Sequence, residues 1–387
     1  MIQPETSRPF RIVDCTLREG EQFALAAFTT EQRIAIATKL DAFGVDVIEM
    51  TTPVASPRAE ADLRRVVDLG LQAEIAAHIR CSRMDAEVAL ACGVDALHLV
   101  MGTSPQLRLH SHGRDLLGIL EVAREVLPHI VGRGASIRFS CEDAFRTPMR
   151  DVLRIAQVVE DLGVSRIGIA DTVGCATPDE VAQRVSVLRA AVNCDIEFHG
   201  HNDGDCAVAN AWAAWRAGAT HIDVTVLGIG ERNGIASLGG LIARAAQSAP
   251  HSVQRYRIDQ LLSLDQQVAR ALGIEVPFNA CITSPTAFSH KAGMHTKAVL
   301  AEPTCYEALN PADFGRTREI LVGHTLVGRH AISERARLLG LSLDDASILS
   351  ATRALKNLTD SGAISSDSVD DFLKERAARS TPSTLNS

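Results

Sequence analysis

Between Phe10 and Leu227 the chain alternates short runs rich in β-branched and apolar residues with longer segments whose apolar positions recur at helical spacing. Eight such runs stand out: Phe10 to Leu17, Val45 to Met50, Gln72 to Ile79, Ala96 to Met101, Ser136 to Glu142, Arg166 to Thr172, Asp195 to His201 and His221 to Leu227. Helices are expected between them, for example at Thr30 to Phe43, Arg58 to Leu69, Arg114 to Ile130, Met149 to Leu162, Pro178 to Ala191 and Asp205 to Ala217. Several open on a Thr, Ser or Asp cap and close on glycine, as at Gly44, Gly163 and Gly218. Eight strand–helix units in this order predict an α/β fold, a closed (β/α)₈ TIM barrel. An open doubly wound sheet would need a glycine-rich first turn, and here the first strand runs into Arg18-Glu19-Gly20-Glu21-Gln22. Gly228 to Gly234 has the wrong spacing for a dinucleotide fingerprint, which excludes a dehydrogenase of that type.

Beyond the eighth unit a helix is expected at Ile258 to Leu272, and Pro277 to Pro303 has little periodicity. Helical patterns return at Arg329 to Leu339, Asp344 to Leu358 and Ser366 to Arg379, before a tail, Ser380 to Ser387, expected to be disordered. The predicted organisation is a catalytic barrel over 1–250, a linker or lid over 251–310 crossing to a partner subunit, and a small helical C-terminal subdomain over 311–380.

Composition narrows the classes. The 387 residues carry a formal charge of −8 and 46% hydrophobic content, with no basic run and no bilayer-length apolar stretch. No nucleic acid and no membrane are therefore expected as partners. The N-terminus lacks the regions of a signal peptide, and nine scattered cysteines without a CxxC pair read as reduced thiols, so a cytoplasmic protein is expected. No lysine occurs between Lys39 and Lys291, which leaves Schiff-base chemistry almost nowhere to sit in the barrel.

In such a barrel chemistry gathers at the carboxyl ends of the strands. His199 and His201, two apart on a strand, share one face and make a candidate metal pair. Two imidazoles and a carboxylate form a facial triad that leaves positions open for a bidentate 2-oxo acid, and Glu19 at the end of the first strand is the candidate third ligand. Arg18 beside it would stabilise an oxyanion; alternatively, Arg18 and Glu19 form only a local ion pair. Arg138 is the candidate anion hook, with Ser140 and Thr172 as hydroxyl donors and His78 as a weaker contributor. Gln22, Glu142 and His98 belong to the same set of strand-end polar residues. Thr51, Thr103 and Asp171 fit helix capping as well as chemistry.

The stretches DCTLREGEQF (Asp14 to Phe23), IEMTTPVASP (Ile48 to Pro57), HIRC (His78 to Cys81), RFSCED (Arg138 to Asp143), IADTVGCATP (Ile169 to Pro178), HGHND (His199 to Asp203), LGIGERNG (Leu227 to Gly234) and FSHKAGMH (Phe288 to His295) resemble the metal-dependent Claisen-condensing branch of the (β/α)₈ metallolyases, most closely the homocitrate synthases. The resemblance implies that Glu19, His199 and His201 hold a divalent metal (Mg²⁺, Mn²⁺, Zn²⁺ or Co²⁺) and that Arg18 polarises the 2-oxo group. It also implies that Arg138, Ser140, Thr172 and His78 hold the substrate's acids, that acetyl-CoA is the cosubstrate, and that His295 takes part in acid–base work from a partner subunit. Arg18, His295 and Glu142 are the catalytic candidates; Gln22, His78, His98, Arg138, Ser140 and Thr172 are the substrate-binding ones. A homodimer exchanging its C-terminal segments is expected, since those helices look too few to bury a core alone. Sister acyl-CoA lyases carry a cysteine in the glycine loop, absent from Gly228 to Gly234.

Two departures bear on the acceptor. Homocitrate synthases tend to carry an acid where this chain has His98, and Thr-Gly where it has Gly204-Asp205. An imidazole there would favour phosphonopyruvate, giving a phosphonomethylmalate synthase, as the alternative to 2-oxoglutarate. A metal-dependent aldolase or lyase on the same barrel is the further alternative. An unpaired buried Arg138 would be costly, which argues for an acceptor with a second acid.

Overall fold

The computed structural model describes residues 10–380 of the chain, so the tail at 381–387 lies outside the described residues. Eight parallel strands close into a barrel in sequence order: β1 (Arg11–Asp14), β2 (Val47–Met50), β3 (Glu74–Arg80), β4 (Ala96–Gly102), β5 (Ser136–Glu142), β6 (Arg166–Asp171), β7 (Asp195–Gly200) and β8 (His221–Val224). Closure is made by β1 on β8, with Val13 opposite Asp223. The connecting helices fall where the apolar spacing predicts them, Thr30–Phe43 and Pro178–Ala191 to the residue. Both start in capping boxes, in which Thr29 pairs reciprocally with Gln32 and Thr177 with Glu180. Gly44 ends the first helix at φ 96°, a left-handed turn that other residues rarely adopt. Among the described residues no helix is long and apolar enough to cross a membrane.

The barrel interior is divided. Val13, Cys15, Val47, Ala76 and Ala96 make an apolar cluster with Ile235. Beside this cluster the interior is ionisable: Glu49, His98, Arg138, Arg166, Glu197 and Asp223 are all buried.

The chain divides into two compact units, Met1–Pro285 and Thr286–Ser387. The first extends past residue 250 because the helix Leu261–Leu272 docks on the barrel wall: Lys39 donates to the Ser263 carbonyl, and Tyr256 stacks on Phe43 at 5.9 Å. In the second, the helices Arg329–Leu338, Asp345–Leu358 and Ser366–Ser380 enclose a core that includes Ile332, Ile348, Leu355 and Leu373. That core corrects the expectation that this segment is too small to bury one. A further difference lies in the stretch with little periodicity, where a helix forms at Gly293–Ala301. It buries only Thr296 and Val299 and has no side-chain cap, so it left neither an apolar stripe nor a cap to recognise.

Asp265 in the docked helix is 2% exposed; one oxygen accepts from the Thr283 hydroxyl at 2.5 Å and the other has no partner among the described residues. Burial pushes its pKa from 3.8 up to about 7, against the Thr283 hydrogen bond. A carboxyl whose folded pKa is raised stabilises the fold below its unfolded value and loses that contribution as pH climbs through about 7. Asp265→Asn is therefore expected to gain about 2–4 kcal/mol relative to the parent chain between pH 4 and pH 8 in denaturant titrations. Identical pH profiles for the two proteins would contradict it.

Candidate active site

Ten residues picked out by position in the sequence come together. Arg18, Glu19, Gln22, His78, Arg138, Ser140, Glu142, Thr172, His199 and His201 line one cavity of about 260 Å³ at the carboxyl ends of the strands. Alternation explains the convergence: Arg138, Ser140 and Glu142 on β5, and His199 on β7 with His201 just after it, all point inward. A larger cavity of about 500 Å³ is bounded by Asn202, Asp205 and Asp265 and contains none of the ten. Of the Gly204-Asp205 departure, Asp205 thus belongs to that cavity wall.

One donor atom each from Glu19, His199 and His201 lie within 4.8 Å of one another. His199 Nδ1 meets Asp223 Oδ2 at 2.9 Å, which leaves Nε2 as its donor. Burial, with His201 and Arg18 adding to it, pushes His199 well below the usual imidazole range; burial lowers His201 as well, opposed by Glu19. Both rings are neutral at pH 7, the form that ligates. Glu19 is fixed from two sides, by Arg18 Nη1 at 2.5 Å and by the Glu231 N–H at 2.8 Å. Its Oε1 stands 3.9 Å from His201 Nε2, a spacing suited to an ion between them and too long for a hydrogen bond. His201 Nδ1 is buried without a hydrogen-bond partner among the described residues. A second cluster, Cys15, His199 and Asp223, fits less well, because burial and the carboxylates of Asp223 and Glu49 hold the Cys15 thiol well above its ordinary pKa. The residues present therefore fit a divalent ion on the Glu19 side of His199.

Arg18 is a bridge as well as a cavity wall. Its Nε donates to Glu49 Oε2 and its Nη1 to Glu19 Oε2, both at 2.5 Å. Burial opposes ionisation of Glu49, yet Arg18, Arg138 and His78 hold its carboxyl well below the usual range. Arg138 is not the unpaired hook expected from the sequence: it is paired with Glu197, and it lies 3.2 Å from Glu49 and 3.7 Å from Asp223. An acceptor lacking a second acid would not strand it. The Glu142 carboxyl makes no hydrogen bond or ion pair among the described residues; burial and the neighbouring Asp143 raise its pKa, with Arg18 opposing.

His98 must be corrected. It is fully buried, does not line the cavity, bonds through Nδ1 to Glu49 Oε1 at 2.7 Å and lies 3.5 Å from Arg166 through Nε2. Burial, aided by Arg138, pushes its pKa down to about 4, so it serves as a neutral strut under Glu49. His295 belongs to the second unit, exposed on Gly293–Ala301 with its ring 4.2 Å from that of Tyr306. Glu197, Asp223, Arg166 and Arg232 were missed. The first two follow from the alternation that singled out His199, because Glu197 precedes it by two on β7 and Asp223 is inward on β8. Arg232 had no such signal.

Eight parallel strands with ionisable groups gathered at their carboxyl ends are the framework of a barrel enzyme. Residues 9–268 match the family model described as HMGL-like, residues 282–363 match the one described as homocitrate synthase post-HMGL domain-like, and the chain belongs to this metal-dependent family. It is 48% identical over 367 residues to the mitochondrial homocitrate synthase of Schizosaccharomyces pombe, covering 95% of this chain and 88% of that one. Against the cytosolic homocitrate synthase isozyme of Saccharomyces cerevisiae identity is 48%, over 97% of this chain and 89% of the relative. A probable 2-isopropylmalate synthase of Methanopyrus kandleri is 36% identical over 91% of this chain and 70% of its own length. Among solved structures, the hydroxymethylglutaryl-CoA lyase from Pseudomonas aeruginosa superposes with a TM-score of 0.62 over 76% of this chain and 98% of that one, at 19% identity, a likeness of fold.

Proposed function

We propose that this enzyme is a homocitrate synthase, joining the acetyl group of acetyl-CoA to 2-oxoglutarate and, with water, releasing homocitrate and CoA. The observation that carries this is the 48% identity spread over 95% of the chain to a relative of that name. The site is compatible with it. Glu19, His199 and His201 would hold a divalent metal, which when bound supplies Lewis acidity toward the 2-oxo acid. Arg18, Arg138 and Arg166 are balanced by Glu19, Glu49 and Glu197, so the two charges of a divalent ion would suit the two carboxylates of 2-oxoglutarate. Arg18 would donate to the developing oxyanion, Gln22, His78, Ser140 and Thr172 would orient the acceptor, and Glu142, with its raised pKa, would hold or release a proton. Phosphonopyruvate loses its residue-level support with His98 buried beneath Glu49.

The test is kcat/KM for CoA release with 2-oxoglutarate, phosphonopyruvate, pyruvate and 2-oxoisovalerate. 2-Oxoglutarate is expected to lead by at least about 100-fold over the acceptors lacking a second acid, given what polar groups built to pair with that acid contribute to discrimination. Any of the other three leading would sink the assignment.

We further propose a homodimer in which His295 serves the partner's site, with the exposed Met294 and Leu326 as part of the contact. Mixed under subunit exchange, the impaired Arg18→Lys and His295→Ala proteins should regain activity; silence despite proven exchange would place His295 in its own subunit's site. For the compartment we propose the cytoplasm, since all nine cysteines are unpaired.

A further inference from the structure

We propose that Arg232 is a positioning residue for the metal centre, a clip that holds together the ends of β6 and β7 and the loop after β8, against which the ligands Glu19 and His201 are set; this rests on the metal-site reading above. The guanidinium grips Asp203 with both ends of its fork, Nε to Oδ1 at 2.8 Å and Nη2 to Oδ2 at 2.9 Å, and Nη2 also donates to the Thr172 carbonyl at 2.7 Å. Asp203 follows His201 by two residues and Thr172 directly follows β6, while Arg232 itself sits in the loop after β8. One side chain therefore ties the ends of β6 and β7 to the loop after β8.

That loop reaches the ligands directly. Glu231, next to Arg232, gives its N–H to Glu19 Oε1. Gly230 passes so close that a Cβ there would lie 2.9 Å from Glu19 Oε1. On the other side, His201 bridges to Ile235, and the Asn202 N–H donates to the Gly234 carbonyl at 2.9 Å. A shift of the loop would therefore move both a carboxylate ligand and a histidine ligand, and metal affinity is sensitive to outer partners of this kind.

A second observation points the same way. Arg232 has φ 55°, a left-handed conformation that a long side chain adopts only when its surroundings impose it. The Asp203 pair is part-exposed, and pairs of that kind contribute little to stability, so strain here is not explained by a need to hold the fold. It is explained if the loop must present the Glu231 N–H at a set place. With Nε and Nη2 both engaged, the fork orients the loop instead of serving as a substrate hook, although Arg232 lies at the cavity rim.

The test uses the full chain stripped of metal and titrated with Mn²⁺ or Co²⁺ against a fluorescent chelator. Arg232→Lys keeps the charge and loses the fork; Asp203→Asn keeps the size and loses the pair. Each is expected to raise the metal dissociation constant by about 10–100-fold while the melting temperature of the metal-free protein stays put. The double variant should be no weaker than the worse single one, since both break one contact. Parental metal affinity in both single variants, effects that multiply in the double variant, or a metal-free melting temperature that falls with the affinity would each overturn the clip. If the parent chain itself took up no metal, the metal-site reading would fail and the clip with it, an outcome distinct from the others.

Discussion

His201→Ala is expected to lose both bound divalent metal and turnover, with metal affinity falling by more than the roughly 10–100-fold typical of outer partners. The loss follows from the donor set: Glu19, His199 and His201 offer three atoms, and removing one leaves two donors where a facial site uses three. Asp223→Asn is the graded companion. It keeps the hydrogen bond to His199 Nδ1 at reduced strength and should weaken metal binding within that 10–100-fold range. Metal content by elemental analysis and kcat after reconstitution check both. A His201→Ala protein that keeps its metal and its rate would remove the ion from the Glu19, His199 and His201 triangle.

Arg18→Lys is expected to lower kcat by about 10²–10³-fold with the fold intact. Arg18 is 8% exposed and its fork reaches Glu49 and Glu19 together, which an ammonium on a flexible stem cannot do in one geometry. Retaining a charge matters for the design of the test: Arg18→Ala would leave two buried carboxylates without their cation and destabilise the protein for reasons unrelated to chemistry. The measurement is kcat together with the melting temperature. A kcat within threefold of the parent would reduce Arg18 to the local ion pair with Glu19 that its position next to that residue also permits.

The barrel was legible in the sequence because each strand carries its own evidence in a run of buried, β-branched residues closed by a cap or a glycine, and eight such runs leave few topologies open. The inward face of β7 was legible for the same reason, since His199 and His201 differ by two. What failed was depth. His98, His78 and Arg138 are register neighbours across β3, β4 and β5, so a strand position alone does not say which of them reaches the cavity. Glu49 decides it, by taking His98 Nδ1 at 2.7 Å and His78 Nδ1 at only 3.3 Å. Asp171 is a different case: both its oxygens accept backbone N–H groups from Cys175 and Ala176, which fixes the turn after β6, while Thr177 caps the helix that follows. The charge pairing of Arg138 could not be foreseen, because Glu197 and Asp223 reach it across the barrel from strands distant in sequence. Arg232 lay out of reach for a further reason. Its importance rests on a left-handed backbone in a loop, for which an arginine gives no warning.

The central claim is that this chain forms a carbon–carbon bond between the methyl carbon of acetyl-CoA and the keto carbon of 2-oxoglutarate. Acetyl-CoA labelled with ¹³C at both acetyl carbons, incubated with 2-oxoglutarate labelled with ¹³C at its keto carbon, divalent metal and the protein, resolves it by NMR and mass spectrometry. The expected outcome is a single tricarboxylic product carrying both acetyl carbons, with the labelled methylene carbon coupled to the quaternary carbinol carbon and one CoA freed per product. Labelled acetate in place of that product, with 2-oxoglutarate unchanged, would contradict it.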